Sequence, residues 1–258
     1  MIEKDYILSK ALSSFAVVSA SSPVLIFKGG TALKKLYYPN WRYSEDLDFT
    51  SNMQLNQQEI TKLFEQLANH VTEIYGVSMR VAEYSQYPKG STDPLSAQLK
   101  LGFDGPLHKT SGMKNNIRVD IAFNEVVIGE PEYRQMFREY PDDSDTELVV
   151  YPLEEIVAEK LRSILQRGKS RDYYDVWLLL EKHKTDFSFE RTREILIAKC
   201  KHKEISKPGV TDFFQARRID EAAQFWERGL AHQLPDLPEM SDVLEELRPT
   251  IGQLLQDP

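Results

Sequence analysis

Apolar side chains recur along this chain at two different spacings, and the change from one to the other falls near residue 150. A helical spacing opens the sequence from Glu3 to about Ser19, until Pro23 breaks it. The short run Val24-Leu25-Ile26-Phe27 then reads as a buried strand and passes directly into Gly29-Gly30-Thr31. Ala32, Leu33 and Leu36 suggest a short helix that ends before Pro39. Alternation resumes in Asp46-Leu47-Asp48-Phe49, and Ile60, Leu63, Phe64 and Leu67 predict a helix from Gln58 to Val71. Val77 to Tyr84, Leu95 to Phe103 and Ile117 to Phe123 alternate at period two, which predicts three more strands in an antiparallel or mixed sheet.

Beyond Pro152 the pattern turns helical, with helices expected at 152–167, 171–182, 189–200, 212–231 and 240–255. Strands first and helices later describe an α+β chain, divided here into 1–150, a core with the sheet, and 151–258, a helical part. The acidic stretch Asp142-Asp143-Ser144-Asp145 reads as a surface loop between the two.

Composition narrows the classes. Of 258 residues, 41% are hydrophobic and 28% charged, the profile of a globular protein and not of a disordered one. No apolar run approaches the roughly 20 residues needed to cross a bilayer, and Met1 to Lys10 lacks the apolar centre of a signal peptide. The single cysteine, Cys200, has no partner for a disulfide or a paired-cysteine zinc site. A cytoplasmic protein with no membrane partner is expected. The net charge of −8 argues against non-specific coating of nucleic acid, although local basic patches remain. These are Lys28, Lys34, Lys35 and Arg42; Arg162, Arg167, Lys169 and Arg171; and Lys199, Lys201 and Lys203.

The candidate chemistry lies in the strands. Side chains of a strand alternate faces, so Asp46 and Asp48 share one face while Leu47 and Phe49 point into the core. At a rise of roughly 3.3 Å per residue their Cα atoms stand about 6.6 Å apart, a spacing that suits a pair of metal ions. Asp120, flanked by Val119 and Ile121, follows the same alternation and can face the pair. Three carboxylates without His or Cys select a hard cation such as Mg2+, completed by substrate phosphates. Gly29 and Gly30 let backbone N–H groups approach a triphosphate, and Thr31 and Ser44 can each add a hydroxyl.

Two further oddities lie in the helical part. Lys160 interrupts the apolar stripe Leu153, Ile156, Val157, Leu161 and Ile164, either as a snorkelling edge residue or as a cation reaching phosphates or carboxylates. Asp172 and Asp175 lie three residues apart on the next helix and can pair with Lys160 or Arg171. The five histidines show no metal-ligand spacing, and Trp177, Trp226, Tyr173 and Tyr174 read as core or interface.

Phe27-Lys28-Gly29-Gly30-Thr31-Ala32-Leu33, Arg42-Tyr43-Ser44-Glu45-Asp46-Leu47-Asp48-Phe49, Arg118-Val119-Asp120-Ile121, Glu154 to Leu161 and Arg171-Asp172-Tyr173-Tyr174-Asp175-Val176 together resemble the AbiEii nucleotidyltransferase toxins, which include the MenT proteins. The resemblance runs from about residue 27 to 180. It implies a DNA polymerase beta-type nucleotidyltransferase core at 1–150, and a helical part at 151–258 completing the active-site cleft. It implies that Gly29, Gly30, Thr31 and Ser44 bind triphosphate and that Asp46, Asp48 and Asp120 hold metal. It also implies that Lys160 contacts the nucleotide, and that Arg171, Asp172 and Asp175 form the last motif. The interval from Gly30 to Asp46 is longer than in many members of the superfamily. The implied partners are a nucleoside triphosphate, a cognate antitoxin and an RNA acceptor, the tRNA 3′ end; a small molecule such as an antibiotic or a protein hydroxyl is the alternative acceptor. A non-catalytic nucleotide-binding regulator is the other reading.

Overall fold

A computed structural model describes residues 1–20, 25–107, 115–234 and 236–256. Val24 of the first expected strand, the Pro23 break and His108 lie outside the described residues. The chain divides into two compact units, one of residues 1–124 and 131–150, the other of 125–130 and 151–258.

The first unit is built on a mixed sheet. Helix α1 (Ile2–Ser19) precedes strand β1 (Leu25–Lys28), which passes into a single turn of helix, α2 (Gly29–Ala32), continued by a wider turn over Leu33–Tyr37. After an irregular stretch come β2 (Asp46–Ser51), α3 (Gln57–Tyr75), β3 (Ser78–Tyr87), β4 (Ser96–Asp104), β5 (Asn115–Ala122), β6 (Glu132–Gln135) and β7 (Glu147–Val150). The strand order is β3-β4-β5-β2-β1-β7-β6. Neighbours β2 and β5 run parallel, as do β1 and β7, while the remaining pairs are antiparallel.

The core behind this sheet follows from the alternation. Leu47, Phe49, Val119, Leu99 and Leu101 are fully buried and Ile121 nearly so. Phe49 packs its ring 4.8 Å from Phe15 of α1, 5.3 Å from Phe27 of β1 and 6.3 Å from Phe64 of α3, an aromatic cluster that fixes both helices on this face. Helix α3 is also set locally. Asn56 accepts a hydrogen bond from Glu59 N at 3.0 Å, the Glu59 carboxylate accepts from Asn56 N at 2.8 Å, and Gly76 closes the C-terminus at φ +67°.

Two expectations need correction here. Strands β6 and β7 carry too few residues to show alternation and went unrecognised in the sequence. The acidic segment from Asp142 to Asp145 is not simply a surface loop. The Lys10 ammonium, wholly buried on α1, lies 2.7 Å from both Asp142 and Asp143, and the Asp143 side chain is buried with it. Lys35, also buried, joins Asp5 at 2.7 Å and Glu139, which in turn meets Lys34. Charges that look solvated in sequence thus form a closed ion network tying α1 to the turn after α2 and to the segment before β7, where each buried charge has a partner.

The second unit is helical apart from short irregular links: α4 (Leu153–Gln166), α5 (Ser170–Lys182), α6 (Phe189–His202), α7 (Ala216–Gln224), α8 (Trp226–Leu230) and α9 (Met240–Leu255). The boundaries of α4, α5, α6 and α9 fall close to those expected. The single helix expected at 212–231 is instead a tight turn at Val210–Phe214, α7, α8 and a final turn at Ala231–Gln233, because Phe213, Trp226 and Leu230 are buried while Phe225 is left outside. Segment 125–130 is anchored by Glu155, which accepts from Gly129 N at 2.8 Å and lies 2.6 Å from Lys199; the latter two side chains are fully buried. Among the described residues no helix is long and apolar enough to cross a membrane.

Candidate active site

Register places the carboxylates. Parallel pairing sets Asp46 opposite Arg118 and Asp48 opposite Asp120, so four charged residues form two adjacent rows on the face of the sheet away from the aromatic cluster. Antiparallel neighbours lengthen the rows. Lys28 lies opposite Asp48 on one side, while Gln98 lies opposite Asp120 and Lys100 opposite Arg118 on the other. All three aspartates singled out in the sequence are therefore brought together, although Asp48 and Asp120 are far apart along the chain.

The glycine turn is shaped around them. Gly29 sits at φ +83°, and a Cβ built there would lie 2.3 Å from Asp48 Oδ2, so only glycine leaves room for that carboxylate. A Cβ on Gly30 would stand 3.1 Å from Ser44 Oγ and 3.4 Å from an Arg42 nitrogen. Thr31 is buried, and its hydroxyl donates to the backbone carbonyl of Asp46 at 2.5 Å. It clips the turn to the start of β2. The long interval from Gly30 to Asp46 is thereby explained: Trp41 and Arg42 bury themselves within it, and the chain returns to the turn it left.

The cation at the centre was not anticipated. Arg118 ion-pairs with Asp46 and lies 3.0 Å from Asp120 Oδ2, while Asp120 Oδ1 accepts from Gln98 at 2.7 Å. Burial lowers the Arg118 pKa, but the charges of Asp46, Asp120 and Asp48 more than offset this and hold it above its ordinary value. All three carboxylates therefore act on one positive charge. The alternation that marked Asp120 also places Arg118 on the same face, two residues earlier, and that was the available signal.

This arrangement bears on metal binding. Among the described residues no group of three or more His, Cys, Asp or Glu side chains forms a ready-made metal cage. The face offers instead oxygen ligands that are partly exposed, Asp46 at 20% and Asp120 at 36%, with a guanidinium standing where a cation is attracted. An open, all-oxygen donor set of this kind suits a hard divalent ion that keeps waters and takes substrate phosphates as further ligands.

In the helical unit Lys160 Nζ lies 2.6 Å from Asp175, whose side chain is fully buried, so the lysine in the apolar stripe has its partner. Asp172 pairs with Arg167, not with Arg171: the guanidinium donates to both carboxylate oxygens, at 3.0 and 3.1 Å, and Lys169 N donates to Asp172 at 3.2 Å. Arg171 is half-buried and borders a cavity with Lys169. Tyr173, Tyr174 and Trp226 are buried, as the sequence suggests.

A mixed sheet carrying paired aspartates beside a glycine turn is the frame of a nucleotidyltransferase. Solved structures with this fold include MenT4, a nucleotidyltransferase toxin from Mycobacterium tuberculosis H37Rv, at a TM-score of 0.63 and 17% identity over 99% of this chain and 84% of that one. A protein from H. pylori assigned as a nucleotidyltransferase superposes at a TM-score of 0.57, with 17% identity over 98% of this chain and 94% of that one. Comparison with curated proteins gave no match. The family model described as nucleotidyl transferase AbiEii toxin, type IV toxin-antitoxin system, matches residues 10–256, and the chain belongs to that family. It is accordingly a nucleotidyltransferase, of a kind that uses nucleoside triphosphate, generally requires a divalent metal and is paired with an antitoxin.

Proposed function

We propose that this protein is a magnesium-dependent toxin that transfers a nucleotide from a nucleoside triphosphate to an RNA acceptor, the 3′ end of tRNA, in the cytoplasm, and so arrests growth. The observation that carries the reading is the convergence of Asp46, Asp48 and Asp120 on one sheet face beside a turn where Gly29 alone makes room for Asp48.

Asp46 and Asp48, with Asp120 beside them, would hold magnesium. The bound ion would neutralise triphosphate charge and make the acceptor hydroxyl easier to deprotonate, and as that oxygen bonds to the α-phosphorus the α–β phosphoanhydride bond breaks and pyrophosphate leaves. Arg118, which pairs with Asp46 and Asp120, would compete with a cation for those carboxylates. Gly29 and Gly30 present backbone N–H groups, and Ser44 a hydroxyl, to the triphosphate. Thr31 positions the turn through its hydrogen bond to Asp46. Lys160, oriented by Asp175, contacts the nucleotide, while Asp172 orders the segment that bears Arg171.

Purified protein is incubated with total tRNA, magnesium and each labelled nucleoside triphosphate, beside Asp46→Ala and Asp48→Ala. Label on RNA that disappears in both variants supports the reading and identifies the nucleotide. Unlabelled RNA beside a labelled protein or small molecule overturns it in favour of that acceptor.

A further inference from the structure

Three basic segments stand out along the sequence, and folding removes most of two of them from the surface. Lys28, Lys34, Lys35 and Arg42 are each 7% exposed or less. Lys199 is buried against Glu155, and Lys203 reaches Glu125 at 3.3 Å. In the middle segment Arg162 is likewise buried and paired with Glu125, but Arg167 and Lys169 remain exposed and Arg171 half so. These three cations gather around one cavity.

The cavity measures about 450 Å³ and is bounded by the turn between α4 and α5 on one side and by α7 and α8 on the other. Arg167, Lys169 and Arg171 line it with Phe225 and Gly229, and Glu221 is the one acidic side chain among the described lining residues. Glu221 is already engaged by Arg217 at 3.0 Å. Phe225 is 53% exposed although its neighbour Trp226 is buried. Its backbone is held in place, since Phe225 N donates to Ala222 O at 3.1 Å and Phe225 O accepts from Gly229 N at 2.8 Å. Arg167 is braced by its two bonds to Asp172. The same carboxylate caps the start of α5, so the cavity is lined by side chains and does not open on a bare helix end.

An exposed aromatic face beside clustered cations, in a cavity large enough for one nucleotide, is how proteins hold single-stranded nucleic acid: the ring stacks a base and the cations take the flanking phosphates. We propose that this cavity binds a nucleotide of single-stranded RNA, with the base against Phe225 and the phosphates on Lys169 and Arg171. The site rests on the reading that the acceptor is RNA, and it would grip the acceptor independently of the aspartates. A local positive patch on a chain of net charge −8 confines that grip to one place.

The test is fluorescence anisotropy of a labelled single-stranded RNA of eight nucleotides on the full chain, with circular dichroism confirming that each variant is folded. Phe225→Ala is expected to weaken binding about tenfold and Phe225→Tyr, which keeps the stacking face, to restore it. Lys169→Gln and Arg171→Gln should each lower the slope of log affinity against log salt by about 0.7. Wild-type protein that does not bind the RNA, or folded variants that bind as wild type does, overturn the proposal. So does loss of ATP binding in equilibrium dialysis with RNA binding intact, which would make the cavity a free-nucleotide site. If the wild type labels no RNA in the transfer assay, the acceptor reading fails on that result, and the cavity is judged by anisotropy alone.

Discussion

Gly29→Ala separates a site organised around its glycine turn from one in which the turn is incidental. The added Cβ would lie 2.3 Å from Asp48 Oδ2 and 3.0 Å from two further Asp48 atoms, and the residue sits at φ +83°. The backbone conformation alone costs a side chain-bearing residue about 1–2 kcal/mol. Restoring ordinary contact requires the Asp48 carboxylate to retreat by about 1 Å, a displacement that lowers a positioned reaction on the order of 100-fold. Gly76→Ala is the control: it has the same class of backbone, φ +67°, but its Cβ would meet nothing within 4 Å. Urea denaturation reports stability, and pyrophosphate release with tRNA as acceptor reports turnover. Both variants should lose the backbone term, Gly29→Ala somewhat more because Asp48 must shift, and only Gly29→Ala should lose most of its rate. A folded Gly29→Ala enzyme within threefold of wild type, or equal losses in both variants, would refute the argument.

Other outcomes follow from the ion pairs and buried groups. Arg118→Met removes two partly exposed pairs worth roughly 0.2–1 kcal/mol each, so the metal-free protein should lose about 1 kcal/mol while magnesium or manganese binds about fivefold more tightly in calorimetry; unchanged metal affinity would contradict the view of Arg118 as a stand-in cation. Lys10→Met leaves the buried Asp143 charge uncompensated and should cost about 3 kcal/mol in urea denaturation, with a loss under 1 kcal/mol counting against the network. Burial pushes the Cys200 thiol up to about 11, so at pH 8 it should resist thiol reagents until urea unfolds the chain. Burial, then the hydrogen bond to Asp142, raises the Tyr6 pKa to about 12. The unfolded chain thus releases that proton first. The stability Tyr6 contributes is complete below about pH 10 and falls as pH rises towards 12, a loss that Tyr6→Phe should reduce in alkaline melts.

The sequence shows the carboxylate face because strand alternation is a local signal. Leu47 and Phe49 against Asp46 and Asp48, and Val119 and Ile121 against Asp120, declare two faces before any pairing is known. What it withholds is pairing itself. That Asp48 faces Asp120, and that Arg118 stands between carboxylates, depends on β5 lying next to β2, which no local pattern encodes. The same reason hides the fate of the lysines: Lys10, Lys35 and Lys199 look solvated until partners 30 or more residues away in sequence enclose them. Helices α4, α5, α6 and α9 are legible from their stripes, whereas α7 and α8 are not. On one continuous helix across 212–231, Phe213, Phe225 and Trp226 would project in three directions roughly 100–140° apart, so no single face could bury Phe213 with Trp226, and the chain breaks the period instead.

The pairing of β2 with β5 also sets an order of events. Asp48 and Asp120 become neighbours only when the loop of about 70 residues between them has closed, whereas β3, β4 and β5 meet through shorter connections. A partly folded or newly made chain can hold the glycine turn, the aromatic cluster or the β3-β4-β5 meander and still lack a complete set of carboxylates. For an enzyme that belongs to a toxin family, chemistry therefore waits on one of the most distant contacts in its sheet, and potency arrives with completion of the fold.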